Sequence, residues 1–297
     1  MDPAAGSPET VFRAHDRQLC GEVALVLEAV GLRPVIHDLD GTWIVIVAPH
    51  EAAQARRELD AWLAENRRSR PEPPARQPLA DGRPGVLGYA VAVIAVALAV
   101  GNLAFDRDWL AAGRIDGAAM QAGEWWRALT ALTLHADLEH LAANIFFGGV
   151  FGWFAGRYLG SGIAWLLILA AGACGNLINV LIMGPGHRAI GASTAVFAAL
   201  GLLGSLGWAG RRRSVQGRIY RWGPVIAAVA LLAYTGAGGE RTDIGAHIWG
   251  FVAGLGAGLL AARIPPPVLV HARLQWLAGL ATVAVLVTAW LLALTAG

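Results

Sequence analysis

The sequence predicts an all-α polytopic membrane protein preceded by a small α/β domain. First, the 297 residues are 56% hydrophobic and only 15% charged, with a mean hydropathy of +0.52. Second, apolar residues are diluted by charge up to about residue 84 and are nearly continuous beyond it. Third, the later part contains seven apolar segments of near bilayer-spanning length. This composition argues against a disordered chain, a coiled coil and an ordinary soluble enzyme.

Residues 1–66 predict a small cytosolic α/β domain. Hydrophobic spacing predicts the order β-α-β-β-α, with elements near residues 11–14, 19–30, 35–36, 43–47 and 52–63. Asp40-Gly41 is a strong signal for a tight hairpin between the second and third strands. The first ten residues lack the basic start and apolar run of a signal peptide, so we expect the domain to stay in the cytosol.

Residues 67–84 predict a semi-extended linker, because they contain five prolines and five arginines. The predicted spans are residues 85–105, 138–154, 163–183, 189–209, 223–236, 244–262 and 274–296. We assign the first six to one membrane domain, residues 85–262, and the seventh to a C-terminal segment, residues 263–297. A long loop, about residues 106–137, joins the first two spans, and long loops in compact proteins are often functional.

Arginine placement predicts the orientation of the spans. With the N-terminus inside, the cytosolic segments contain Arg157, Arg211, Arg212, Arg213, Arg218, Arg221, Arg263 and Arg273. The opposite side contains Arg107, Arg114, Arg127, Arg188 and Arg241. This bias predicts a cytoplasmic N-terminus and an external C-terminus.

Several kinds of chemistry are excluded or disfavoured by residue type. All 23 basic residues are arginine, which excludes a Ser–Lys dyad, a Schiff base and a P-loop lysine. Cys20 and Cys174 fall in the predicted cytosol and bilayer, so we expect no disulfide. The run from His135 to His140 is not H-E-x-x-H and has the wrong helical phase for two metal ligands. We therefore expect no metal site.

Polar groups inside membrane spans are costly and usually functional. The candidates are His135, His140, Asn144, Asn176, Asn179, Ser193 and His247. His140 and Asn144 share one helical face because they are four residues apart. Ser193 and His247 both lie near the outer ends of their spans. Ser193 alone is also typical of a helix N-cap, and a lone histidine such as His247 is most often structural.

The glycines at 250, 254 and 258 favour close packing of the sixth span against another helix. On the fourth span, we expect the matching small surface to comprise Ala195, Ala198, Gly201 and Ser205. Serine and histidine brought together can act as nucleophile and general base. His140 and Asn144 are the side chains available nearby as oxyanion donors.

These residues together resemble the rhomboid intramembrane serine proteases over about residues 86–262. The matching motifs, in order, are Trp126-Arg127, the H-x-x-x-x-H-x-x-x-N run of His135, His140 and Asn144, Gly191-Ala192-Ser193, and Ala246-His247 with Gly250 and Gly254. The resemblance implies a six-helix rhomboid-like bundle, here with an additional seventh span. Each motif is weak alone, but all four in order on the predicted spans are highly specific.

The resemblance also implies roles for these residues. Ser193 is expected to be the nucleophile and His247 the base, with His140, Asn144 and the Ser193 backbone N–H as oxyanion donors. Phe197 is expected to pack on the base, and Trp126 and Arg127 to brace the long loop. Gly191, Gly250 and Gly254 are expected to support the site. The implied substrates are transmembrane proteins, cleaved near the outer membrane face, and the resemblance implies no metal or cofactor.

Two positions leave alternatives open. The family's usual glycine after the serine is Thr194 here, and its hydroxyl could cap the helix or face a small residue on span six. Asp243 precedes His247 by four residues, and we favour a helix cap over a third member of a triad.

A catalytically silent rhomboid-like protein that binds transmembrane clients is the alternative function. A transporter or channel is disfavoured because the polar residues cluster toward one membrane face.

The partners we expect are the lipid bilayer and transmembrane proteins, with no nucleic acid. Arginine without lysine, together with abundant alanine and glycine, indicates a GC-rich bacterial genome. We therefore expect a multi-pass protein of a bacterial inner (plasma) membrane. The oligomeric state and the substrate are left open by the sequence.

Overall fold

The computed structural model describes residues 7–68, 78–212, 217–235 and 242–296. The chain divides near residue 72 into two compact units, which are taken in turn.

The first unit confirms the predicted β-α-β-β-α order. Its elements are β1 (Glu9–Ala14), α1 (Arg17–Ala29), β2 (Val35–Leu39), β3 (Thr42–Val47) and α2 (Ala52–Arg68). The strands form an antiparallel sheet with β3 in the centre, between β1 and β2. The hairpin turn has positive φ at both Asp40 (51°) and Gly41 (82°), as a two-residue turn between strands requires.

The second unit is helical. Its elements are α3 (Arg83–Gly101), α4 (Trp109–Gly113), β4 (Ile115–Asp116), α5 (Gly117–Gln121), α6 (Arg127–Thr130), α7 (Leu138–Leu159), α8 (Ser161–Met183), β5 (Arg188–Ala189), α9 (Ser193–Arg211), α10 (Arg218–Thr235), α11 (Ile244–Ala261), α12 (Pro266–Leu269) and α13 (Ala272–Thr295). A small helical turn at 104–106 and another at 131–133 complete the segments between them.

Within the described ranges, five helices are long and apolar enough to cross a membrane: α3, α8, α9, α11 and α13. The other two predicted spans correspond to α7 and α10, which carry more polar residues. Their bounds differ from the prediction, since α7 continues to Leu159 and α10 begins at Arg218. A helix can extend beyond the apolar segment that crosses the bilayer, since arginines at a helix end reduce its hydropathy without ending the helix.

Helix α9 is the most deeply buried of these five and packs against α7, α8, α10 and α11. Its closest neighbour is α11. A side chain at Gly250, Gly254 or Gly258 would overlap the α9 backbone at Thr194, Ala198 or Leu202, respectively. The glycines therefore permit close backbone packing of the two helices. The predicted matching surface needs one correction: it begins at Thr194, whereas Ala195 packs against Gly172 of α8.

The first loop (residues 102–137) contains α4, β4, α5 and α6. Strand β4 pairs with β5, which directly precedes α9, and Asp116 binds Arg188 across this pair at 3.2 Å. The backbone N–H of Ala119, and secondly Arg188, lower the pKa of the Asp116 carboxyl. The stability that the ionised Asp116 carboxylate contributes is therefore present above the ordinary aspartate pKa. It is lost as the pH falls through the lowered pKa of Asp116. The pairing attaches the first loop to the segment that leads into α9.

Candidate active site

Ser193 and His247 lie together where α9 and α11 begin. His247 Nε2 lies 2.8 Å from Ser193 Oγ, which is hydrogen-bonding distance. Ser193 is the first residue of α9; the N-cap position is Ala192 and carries no side-chain cap. His247 is buried, with 6% of its surface exposed. A hydroxyl and an imidazole at this distance can exchange a proton during nucleophilic attack.

Phe197 and Gly191 set the surroundings of this pair. The ring of Phe197, one turn after Ser193, lies 4.5 Å from the His247 ring between centroids. Gly191 has φ of 136°, a conformation that favours glycine. A Cβ at Gly191 would come within 2.9 Å of the His140 ring and 3.3 Å of Ser193 Oγ. A side chain at position 191 would therefore enter the space between His140 and Ser193.

His140 and Asn144 line the same cavity of about 870 Å³ as Ser193 and His247. Asn144 is buried, and its Nδ2 donates to the His140 carbonyl at 3.0 Å. The Tyr89 hydroxyl donates to the Asn144 carbonyl and fixes this part of α7. Because an amide nitrogen carries two hydrogens, Asn144 keeps one donor for the cavity.

Trp126 and Arg127 lie apart from this cavity. Arg127 binds Glu124 at 2.7 Å and donates to the carbonyls of Ala111 and Arg114, each at 2.9 Å. Trp126 packs with apolar residues of the first loop and of α13. Both residues thus make contacts within the first loop, to which they belong, and neither reaches Ser193.

Asp243 caps α11. Its Oδ1 accepts from the Ala246 backbone N–H at 3.0 Å, which confirms the capping interpretation. The carboxylate also binds Asn179 Nδ2 at 2.9 Å and His187 Nε2 at 2.9 Å. Asp243 therefore connects three segments: α8, the loop before β5, and the helix that carries His247.

The sequence interpretation did not assign a role to His187. Its position between α8 and Ser193, together with Asp243 just before His247, was the only available signal. Gly245 makes the junction possible, because a side chain there would overlap Asn179 Oδ1. Asn176, also on α8, donates to the Ala128 carbonyl at 2.9 Å and holds α6.

Replacing Asp243 with alanine should lower the stability of the second unit. The loss of the cap alone costs about 0.5–2 kcal/mol, and the contacts to Asn179 and His187 are lost as well. Thermal unfolding in detergent measures this effect. Asp243→Asn is the matched control, because its amide oxygen can still accept from the Ala246 N–H. Equal unfolding midpoints for wild type and Asp243→Ala would contradict the assignment of Asp243 as the cap of α11.

Thr194 fits between the helices without separating them. Its Cγ2 faces two glycines, Gly175 of α8 and Gly250 of α11. The two alternatives left open concerned the hydroxyl, whereas the structure shows the methyl facing a small residue on α11. Ser193 and His247 remain in hydrogen-bonding distance with Thr194 in place.

Comparison with known proteins identifies the membrane unit. The family model described as the Rhomboid domain matches residues 122–264. The chain is 37% identical over 94 residues to the rhomboid protease GluP of Bacillus subtilis (strain 168), covering 32% of this chain and 18% of that protein. It is 33% identical over 90 residues to Rhomboid-like protein 11, chloroplastic, of Arabidopsis thaliana, covering 30% and 32%. It is 29% identical over 153 residues to Rhomboid-like protease 3 of Toxoplasma gondii, covering 50% and 57%.

These alignments span less than two thirds of each relative, whereas the family model matches a stretch within the membrane unit. The matched segment runs from the first loop to the end of α11 and includes Ser193, His247, His140 and Asn144. The resemblance seen in the motifs is thereby confirmed: residues 122–264 of this multi-pass membrane protein match the Rhomboid domain.

Proposed function

We propose that this protein is an intramembrane serine endopeptidase with a Ser193–His247 dyad. The observation that carries the proposal is the 2.8 Å separation of Ser193 Oγ and His247 Nε2, with His247 buried and Ser193 partly buried. A serine hydroxyl is a weak nucleophile unless a base removes its proton as it attacks. His247 is the base within reach.

The proposed reaction follows from the residues around the dyad. Ser193 Oγ attacks the scissile carbonyl carbon while its proton moves to His247 Nε2. His140, the free amide hydrogen of Asn144 and the Ser193 backbone N–H then stabilise the negative oxygen. The His247 imidazolium gives its proton to the leaving amine, and water hydrolyses the acyl-enzyme by the same steps.

The proposed substrates are transmembrane proteins, cleaved near the outer face of a bacterial plasma membrane. The arginine distribution supports a cytoplasmic N-terminus, and in that orientation α7, α9 and α11 begin at the outer face. An intact helix keeps its carbonyls in internal hydrogen bonds. The substrate segment must therefore unwind before Ser193 can reach a carbonyl, which favours small and helix-breaking residues at the cleavage site.

The test is cleavage of single-span proteins reconstituted with this protein in liposomes. We expect wild type to cut a panel of spans that have small or helix-breaking residues near the outer end, with cleavage sites assigned by mass spectrometry. Ser193→Ala should cut none of them. If wild type cuts none of the proteins but binds the same ones as Ser193→Ala does, the proposal fails and the client-binding alternative is supported.

Restoring the family's usual glycine at position 194 is not expected to activate the protein. Thr194→Gly removes a methyl that fills the space between Gly175 and Gly250, and it places glycine in the first turn of α9. We expect a loss of about 1–2 kcal/mol in stability and no gain in labelling of Ser193 by a fluorophosphonate. A large gain in labelling would show that Thr194 silences the site.

A further inference from the structure

The seventh long helix, α13, is attached at both of its ends. At its beginning, Gln275 Nε2 donates to the carbonyls of Leu159 (2.8 Å) and Leu269 (2.7 Å). Its Oε1 accepts from the Ile163 N–H at 3.2 Å. These bonds hold α13 against the turn between α7 and α8, far along both helices from Ser193.

At the other end, Trp290 enters the first loop. It is buried, with 7% of its surface exposed, and its indole N–H donates to Thr133 Oγ1 at 3.1 Å. Its ring lies 4.8 Å from the ring of Trp109 between centroids. Gly113 gives it room, because a side chain there would overlap the indole. Trp290 is therefore enclosed by protein on an otherwise largely exposed helix.

Thr133 belongs to a short support segment (residues 130–134) that separates α13 from the Ser193 site. On one side it contacts Trp290 through Thr133 and through Leu134, which is 1% exposed. On the other side, the Ala131 carbonyl accepts from the Gly191 N–H at 2.9 Å. Gly191 in turn borders His140 and Ser193 Oγ. A continuous line of contacts thus leads from Trp290 to the nucleophile.

We propose that Trp290 is a positioning residue, and that α13 is thereby part of the scaffold of the active site. By holding the support segment, Trp290 fixes the Ala131 carbonyl that restrains Gly191. Gly191 sets the distance between His140 and Ser193. The proposal rests on the proposed function, since it assigns Trp290 an effect on the reactivity of Ser193. It predicts that damage at this end of α13 slows chemistry as well as lowering stability.

The test compares changes at the two ends of the helix by the rate of fluorophosphonate labelling of the folded, full-length protein. Trp290→Ala should lower the rate about tenfold or more, since displacements near 1 Å can cost this much or more. The variants Trp290→Phe and Thr133→Val both remove the Trp290–Thr133 hydrogen bond; Trp290→Phe also removes part of the buried ring, and Thr133→Val also removes the bond from the Thr133 hydroxyl to the Thr130 carbonyl. Both should lower the rate less, and the fold-loss in the double variant should be smaller than the product of the two single fold-losses.

Two controls lie on the same helix. Trp276 is 74% exposed, so Trp276→Ala should label at the wild-type rate. Gln275→Ala should lower the unfolding midpoint without changing the labelling rate. Should Trp290→Ala not fold, Trp290→Phe and Thr133→Val decide the question. Wild-type labelling rates for Trp290→Phe and Thr133→Val would overturn the proposal. An equal loss of labelling rate in Trp276→Ala would overturn it as well.

A second readout does not depend on activity. Hydrogen exchange of a peptide covering Gly191 reports its N–H bond to Ala131. We expect faster exchange there in Trp290→Phe or Trp290→Ala than in wild type and Trp276→Ala. If wild type is never labelled, the proposed function fails while this comparison still tests the positioning. Unchanged exchange at Gly191 would overturn the positioning itself.

Discussion

Replacing His247 with alanine should lower the rate of Ser193 labelling by a fluorophosphonate by about 10³-fold or more. Removing one member of a nucleophile–base pair costs about as much as removing the pair in hydrolases of this type. The Ser193 hydroxyl would then have no base within 2.8 Å to take its proton. Ser193→Ala and the double variant Ser193→Ala/His247→Ala should both show no labelling.

His15→Ala is the matched control, because His15 is exposed and lies in the first unit. It should label at the wild-type rate. Unfolding midpoints for all variants separate lost chemistry from lost structure. Labelling of His247→Ala at a rate within a few-fold of wild type would show that His247 is not the base.

Replacing Gly254 with leucine should destabilise the membrane unit by about 3 kcal/mol or more. The new side chain would overlap the α9 backbone at Ala198, and overpacking against rigid backbone cannot be relieved by a rotamer change. Helices α9 and α11 must then separate, which also moves His247 away from Ser193. Thermal unfolding in detergent and fluorophosphonate labelling should both report the loss.

Gly256 provides the control on the same helix. Gly256 is exposed and a Cβ there would meet no atom within 4 Å, so Gly256→Leu should unfold near the wild-type midpoint and keep its labelling. A similar loss in both variants would mean that leucine is tolerated poorly anywhere on α11. A stable, active Gly254→Leu would contradict the close packing of α9 and α11.

The polar residues of the candidate site could be selected from the sequence because polar groups are rare in apolar segments. Ser193, His247, His140 and Asn144 could be selected on cost alone. The glycines at 250 and 254 could be recognised by spacing. The structure brings these four polar residues to one cavity, which the topology permitted but did not require.

Other features depended on contacts that no local pattern reports. The surroundings of Thr194 were left open by the sequence, and the structure places its Cγ2 against Gly175 of α8 and Gly250 of α11. The pairing of β4 with β5 involves two residues on each side, too few for a periodic signal. Trp290 lies in an apolar span, and no motif or spacing distinguishes it there. Its partner Thr133 lies 157 positions away, so their hydrogen bond had no sequence signature.

The central claim is that Ser193 is an activated nucleophile, and the most direct test is to locate a covalent adduct. Purified wild-type protein would be treated with a fluorophosphonate, digested and mapped by mass spectrometry. We expect a single modified serine, Ser193, with the modification absent in His247→Ala under the same conditions. A folded wild-type protein that carries no adduct, or carries it on another serine, would contradict the activation of Ser193.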